Sequence, residues 1–430
     1  MNKSRYFLII LIIISSLFFL AGCKRITENG GDPTQQQVTL IWWNLFESEE
    51  NVKPLIEAFQ NANPNVVIQY KQQGITGGVN AYKNLLDNAL NDEDKINDPD
   101  IFTIENTWVG NYTEHISPAP QEVISAEFMT DFYPIIQNDF AKNAMLGVPL
   151  YIDTLAVIYN RDKLIGSGYT LPSMEWSEFK TQALNMTTRD SAGKILTSGF
   201  SAGYGSNAQF NFDLFSLLMM QNGVRLDEPT VLSSFSTNPD VLESFEFVRT
   251  FSDRTGSWDK DQKLDVSVFL ENRLAMYIAP SWRLNDILIY NEQYNLGLDI
   301  GVAPLPQLSG TDTTHFGTYW GQTVAKESPN SKVAWEFIKF ITEPQQLKKL
   351  DETVKSKGRK VGIFYPRLSM ASDITNDPNL RVFAQSAPFA KSWFMYDGYA
   401  VEEEFNKFFN EDERDLKKLE TFLTTTVKVN

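Results

Sequence analysis

The stretch Gly147-Val-Pro-Leu-Tyr-Ile-Asp-Thr-Leu-Ala-Val-Ile-Tyr-Asn-Arg161 constrains the fold more than any other part of the chain. Pro149 fixes φ and pushes Val148 toward extended backbone, so a straight connector is expected here rather than a helix. Leu155 to Tyr159 then forms an apolar run of strand length, as found where both faces of a sheet are covered. Straight entry into a doubly covered strand suits a chain passing from one packed body to another. Two-residue alternation places Tyr151 and Asp153 on one side of the connector. Two readings are open for this pair: a ligand contact at a crossover, or a strand-end aspartate that caps a turn.

Length supports two bodies, since 430 residues exceed what one ordinary core organises. A formal charge of −16 argues against nucleic acid, anionic membrane surfaces and polyanionic ligands, all of which need basic patches. The sequence has one cysteine, Cys23, so internal disulfides, cysteine metal sites and thiol catalysis are excluded from the folded body. With His115 and His315 as its two histidines, the chain does not offer a multi-histidine metal site, and no cofactor is expected.

The N-terminus accounts for the cysteine. Lys3 and Arg5 precede an apolar run from Tyr6 to Leu20, and Leu20-Ala21-Gly22-Cys23 resembles a bacterial lipobox. That resemblance implies a signal peptide over 1–22, acylation of Cys23, and a protein anchored outside the cytoplasmic membrane. Such an apolar run is short for a membrane span. Residues 23–37, with Gly30-Gly31 and several glutamines, read as a flexible tether.

From Val38 the pattern alternates. Strands are expected at 38–43, 66–70 and 100–104, with amphipathic helices at 52–60 and 82–90 between them. This βαβαβ order predicts a parallel sheet flanked by helices, with ligand beyond the carboxyl ends of the strands. Trp43 and Asn44 end the first strand; Glu105 and Trp108 follow the third. Rings to stack on, with carboxylate and amide partners, suit a polyol. Trp42 and Trp43 point oppositely, so one of them is core. Further on, helices are expected at 176–183, 207–221 and 239–251. A strand near 269–278 ends at Pro280 and presents Trp282, either a stacking platform or a core plug. Residues 300–306 read as a second crossover. Trp320 precedes a strand over 322–325, and the helix after Pro329 ends at Pro344, suggesting a third crossing. An exposed, charge-rich helix closes the chain.

The order of these pieces resembles the extracellular solute-binding proteins of bacterial ABC importers, in the maltose- and oligosaccharide-binding group. It is carried by Val38 to Phe46, Gly147 to Leu164, Trp176 to Phe179, Phe269 to Trp282, Val302 to Pro306 and Gly321 to Thr342. The resemblance implies an α/β, two-lobe periplasmic-binding-protein-like fold of type II. Each lobe would be a mainly parallel sheet flanked by helices, joined by hinge crossovers. The implied lobes are 38–150 with 307–342, and 151–306 with 343–430. A carbohydrate would lie in the cleft and pass to ABC permease subunits, with the protein a lipid-anchored monomer and no enzyme. Asp153 then matches a hydroxyl-binding carboxylate and Trp282 a stacking aromatic, while Trp43, Asn44, Glu105, Trp108, Tyr151, Tyr204 and Trp320 lie on cleft-lining segments.

Two competing readings have residues behind them. Gly199-Phe-Ser-Ala-Gly203 matches the G-x-S-x-G nucleophile pattern, with Ser201 as nucleophile and His315 later in the chain. An acidic, aromatic cleft also suits a polyamine.

Overall fold

The computed structural model describes residues 37–74, 78–92, 97–142 and 144–427. Cys23, the signal peptide and all but the last residue of the tether lie outside the described residues. The strands are β1 (Val38–Asn44), β2 (Val66–Gln72), β3 (Ile101–Glu105), β4 (Val148–Pro149), β5 (Asp153–Asn160) and β6 (Thr188–Arg189). They continue with β7 (Ile195–Phe200), β8 (Leu274–Pro280), β9 (Ile300–Ala303), β10 (His315–Thr318), β11 (Trp320–Val324) and β12 (Ala390–Lys391). One sheet has the order β2-β1-β3-β11-β4; the other runs β12-β10-β5-β8-β7-β6, with β9 also on β5.

The first sheet follows the alternation in the sequence. β1 pairs in parallel with β2 and β3. The helix Glu49–Ala62 turns Val52, Leu55, Ile56 and Phe59 inward at helical spacing, which makes it a cover for the sheet. β11 then adds antiparallel to β3, with Trp320 opposite Glu105.

The second sheet is mixed rather than mainly parallel. Parallel pairing is confined to β7 with β8 and β10 with β12. β5 is antiparallel to β8, β9 and β10. The cause is the connectivity. β5 leaves the first sheet over a short connector and β10 must run back toward it, whereas parallel neighbours need a long crossover each.

The crossings also differ from the reading of the sequence. Residues 300–306 stay in the second sheet, because β9 and β10 both pair with β5. The return passes through Tyr319, between Thr318 on β10 and Trp320 on β11, so 307–318 goes with the second sheet. Past Pro344 the chain forms the helix Pro344–Ser356, which packs on Glu49–Ala62 before the chain rejoins the second sheet at β12.

The C-terminal helices Gly398–Asn410 and Leu416–Thr426 bury one face each rather than standing exposed. Phe405 lies 5.3 Å from Phe212 and 5.8 Å from Phe215, ring centre to ring centre. Such pairs add about 0.5–1.5 kcal/mol each beyond area burial. This row fastens the C-terminus to the helix Asn211–Gln221.

Candidate functional site between the two sheets

The carboxyl ends of β1 and β3 and the start of β11 share one edge of the first sheet. Trp320, half-buried there, is the register partner of Glu105. Its ring meets Phe46 edge-on at 5.2 Å and Trp108 at 4.9 Å. Phe46 is 42% exposed, so this aromatic wall is open on one side. Trp108 is fully buried and stands 6.2 Å from Tyr399, on the first turn of Gly398–Asn410.

Here the two halves touch. Asn111 N–H donates to the Tyr396 carbonyl at 2.8 Å. Gly398 passes so close to Thr107 that a Cβ would sit 2.1 Å from its Oγ1, so no larger residue fits. Glu105 lies within electrostatic range of Glu402 on the Gly398–Asn410 helix and of Asp213 on Asn211–Gln221. Burial, and then the charges of Glu402 and Asp213, push the Glu105 carboxyl well above the usual carboxylate range. Asp213 is raised by burial and then by Glu402. Glu402 is pushed up to about 7 by burial and Glu403, against a hydrogen bond with Asn406.

The structure gathers Glu105, Trp108 and Trp320 at this edge, with Trp43 and Asn44 buried at the end of β1 beside them, and places Asp153, Trp282 and Tyr204 on the second sheet's side. Asp153 is occupied by its own chain. Its Oδ1 accepts from Ser281 N at 2.9 Å and from Thr154 N at 2.9 Å, and its Oδ2 accepts from Ser281 Oγ at 2.7 Å and Trp282 N at 3.3 Å. It caps the helix Ser281–Gln293, the structural one of the two readings that the sequence leaves open. Tyr151 lies within electrostatic range of Glu47 and Asp153, its phenol raised mainly by burial. Trp282 begins the Ser281–Gln293 helix, 39% exposed, with Arg283 stacked on its ring at 4.4 Å and Phe210 at 5.9 Å. It stands on the second sheet's side with part of its surface open. Tyr204 turns away to the Ser252 carbonyl at 3.4 Å, with Arg414 over its ring.

Both adjacent tryptophans are sealed in: Trp42 bonds Gln322 Oε1 at 2.7 Å, and Trp43 is 6% exposed. Asn44, also buried, accepts from Leu45 N at 2.7 Å, which ends β1. Trp43 and Asn44 are thus both buried where β1 ends, whereas Thr39 at its start is exposed.

Ser201 has no base. β7 and β10 are separated by β8 and β5, three strand spacings, so Ser201 and His315 stand on the order of 14 Å apart. His315 is buried, which pulls its pKa down to about 4. The first glycine of the motif has a packing role instead: a Cβ on Gly199 would lie 1.8 Å from the Ala183 carbonyl oxygen, so it admits the helix Trp176–Asn185.

Asp139 holds the return crossing. Its Oδ2 accepts from Tyr319 Oη and Asn106 Nδ2 at 2.8 Å each, and its Oδ1 from Ser392 Oγ at 2.5 Å. Burial nonetheless raises its pKa to about 6. One carboxylate thus ties β3's exit, the crossing and the segment after β12.

Sequence reasoning missed Phe46, Asp213, Tyr399 and Glu402. Asp213 had a signal, as a lone charge in the otherwise apolar run Asn-Phe-Asp-Leu-Phe-Ser-Leu-Leu. Glu402 sits in Glu-Glu-Glu and nothing local distinguishes it.

Two α/β lobes, three connecting segments and an aromatic, acidic seam between them define a two-lobed binding protein of the periplasmic type. The model for the bacterial extracellular solute-binding protein family matches residues 46–348, and the chain belongs to that family of binders rather than to an enzyme family. A probable ABC transporter-binding protein of Deinococcus radiodurans is 22% identical over 269 residues, 59% of this chain and 61% of that one. The match thus spans under two thirds of that relative's length. The melibiose/raffinose/stachyose-binding protein MelE of Bacillus subtilis is 21% identical over 371 residues, 83% of this chain and 82% of MelE. The sugar-binding protein MalE of Xanthomonas citri shares the fold, with a TM-score of 0.72 and 17% identity over 91% of this chain and 97% of that one.

Proposed function

We propose that this protein captures a sugar or oligosaccharide between its lobes and delivers it to an ABC permease. The observation that carries the reading is the Trp320 wall, flanked by Phe46 and Trp108 and in register with Glu105. Flat rings stack on the C–H faces of a pyranose, and carboxylates accept from its hydroxyls. The name of MelE, a binder of melibiose, raffinose and stachyose, supports the same class. The lobes close about the connector at 150–152 and Tyr319, a hinge motion absorbed by few residues. The monomer is held outside the membrane by acyl chains on Cys23, each buried methylene adding about 0.8 kcal/mol. Cys23→Ala then releases the protein from the membrane fraction; retention there refutes the anchor.

The test is a tryptophan-fluorescence titration of the mature protein with raffinose, stachyose and maltotetraose. A saturable shift with the sugar recovered intact is expected, weakened about tenfold or more in Trp320→Ala, the loss of one stacking face. Unchanged affinity in that variant overturns the site.

A further inference from the structure

We infer that the ligand is a saccharide carrying a basic nitrogen, an amino sugar or aminocyclitol unit whose ammonium group sits among Glu105, Asp213 and Glu402. The inference rests on the carbohydrate reading above and narrows it. Three half-buried carboxylates arrive from three separate elements: the end of β3, the first turn of Asn211–Gln221, and Gly398–Asn410. Glu105 feels both of the others, and Asp213 feels Glu402; the ring contact of Trp108 with Tyr399 and that of Phe212 with Phe405 hold the three elements together.

The rest of the chain treats such groups differently. Asp131 pairs with Arg367 at 2.8 Å and Glu47 with Arg359 at 3.1 Å. Asp139 and Asp153 are held by three and four donors of the chain. Among the described residues no lysine or arginine forms an ion pair with Glu105, Asp213 or Glu402, and the hydrogen bond between Glu402 and Asn406 is the one bond to their side chains. A neutral sugar would leave this repulsion in place, whereas an ammonium group cancels it.

The surroundings suit that charge. Trp320 is the register partner of Glu105, and Tyr399 precedes Glu402 by one helical turn. Trp108 lies between these two rings, and its indole N–H is fully buried without an acceptor, a donor left for a ligand oxygen. Aromatic faces within about 6 Å of an ammonium attract it, most strongly where water is excluded.

The experiment titrates the protein with the glucosamine trisaccharide, its fully N-acetylated counterpart, raffinose and spermidine. The amine-bearing trisaccharide is expected to bind at least about tenfold tighter than its acetylated counterpart. Glu402→Gln and Asp213→Asn are expected to erase that preference while melting higher than wild type without ligand, because each removes one repelling charge. Equal binding of all three saccharides overturns the amine and leaves the carbohydrate reading standing. Binding of spermidine alone overturns both. Variants that keep the preference, or that melt lower, overturn the assignment of the three carboxylates.

Discussion

Replacing Asp153 by alanine separates a cap from a ligand contact. The substitution takes four accepted hydrogen bonds from a carboxylate that is 9% exposed. Loss of the cap on Ser281–Gln293 costs about 1 kcal/mol, and up to about 2. The Ser281 hydroxyl and Thr154 N–H, both buried, are left without this acceptor, at about 1–3 kcal/mol for a stranded donor. Part of this returns, because the ionised carboxylate is itself poorly solvated, its pKa pushed up to about 6 by burial. The net expectation is a loss of about 2–3 kcal/mol. A folded body of about 390 residues unfolds with an entropy near 0.8 kcal/mol/K, so the Tm falls by about 3 °C. Differential scanning calorimetry reads that shift, and a titration at 20 °C below the midpoint reads affinity, expected within about threefold of wild type. An unchanged Tm with abolished binding would refute the argument and return Asp153 to the ligand.

Gly199→Ala drives a Cβ to 1.8 Å from backbone, not from a side chain that could swing aside. It is expected to cost about 3 kcal/mol, read as a lowered urea midpoint. Ser201→Ala should leave ligand affinity unchanged, and an effect on turnover of any ester would contradict the packing role of that motif. Stability should peak near pH 5. Asp139 and Asp153 are raised to about 6, and Asp265 and Glu402 to about 7, all mainly by burial. Stability from a raised carboxyl is fully present below its unfolded pKa and is lost as pH climbs through the folded one, so Tm declines from about pH 5 to 8. The lowered group Glu420, at about 2, loses its contribution as pH falls below its unfolded value, which sets the acid side. A Tm that rises steadily to pH 8 would contradict this ordering.

The sequence was most legible where periodicity and burial agree. β1 to β3 and their helices follow from alternation of strand and amphipathic runs, and the strand after Pro149 from its unbroken apolar run. The second sheet was less so, because direction is set by where a strand comes from and not by its own residues. Thus 300–306 looks like a crossover by its two prolines, yet β9 turns back along β5, and the true return is the single residue Tyr319. Ser281–Gln293 was hidden because its cap, Asp153, lies 128 residues earlier. Of the site, Trp320 and Glu105 were readable as strand-end residues. Their partners Glu402 and Asp213 come from helices that only tertiary packing brings to the seam.

The most direct measurement is a crystal structure of the mature protein with the tightest ligand of the titration series. The account predicts a sugar ring against Trp320, polar contacts to Glu105 and Glu402, and the lobes rotated about Tyr319. The chain also has a cavity of about 370 Å³ at the opposite end of the first sheet, lined by Thr39, Asp100, His115, Lys326 and Ser328. Ligand found there, with Trp320 untouched, would contradict the central claim.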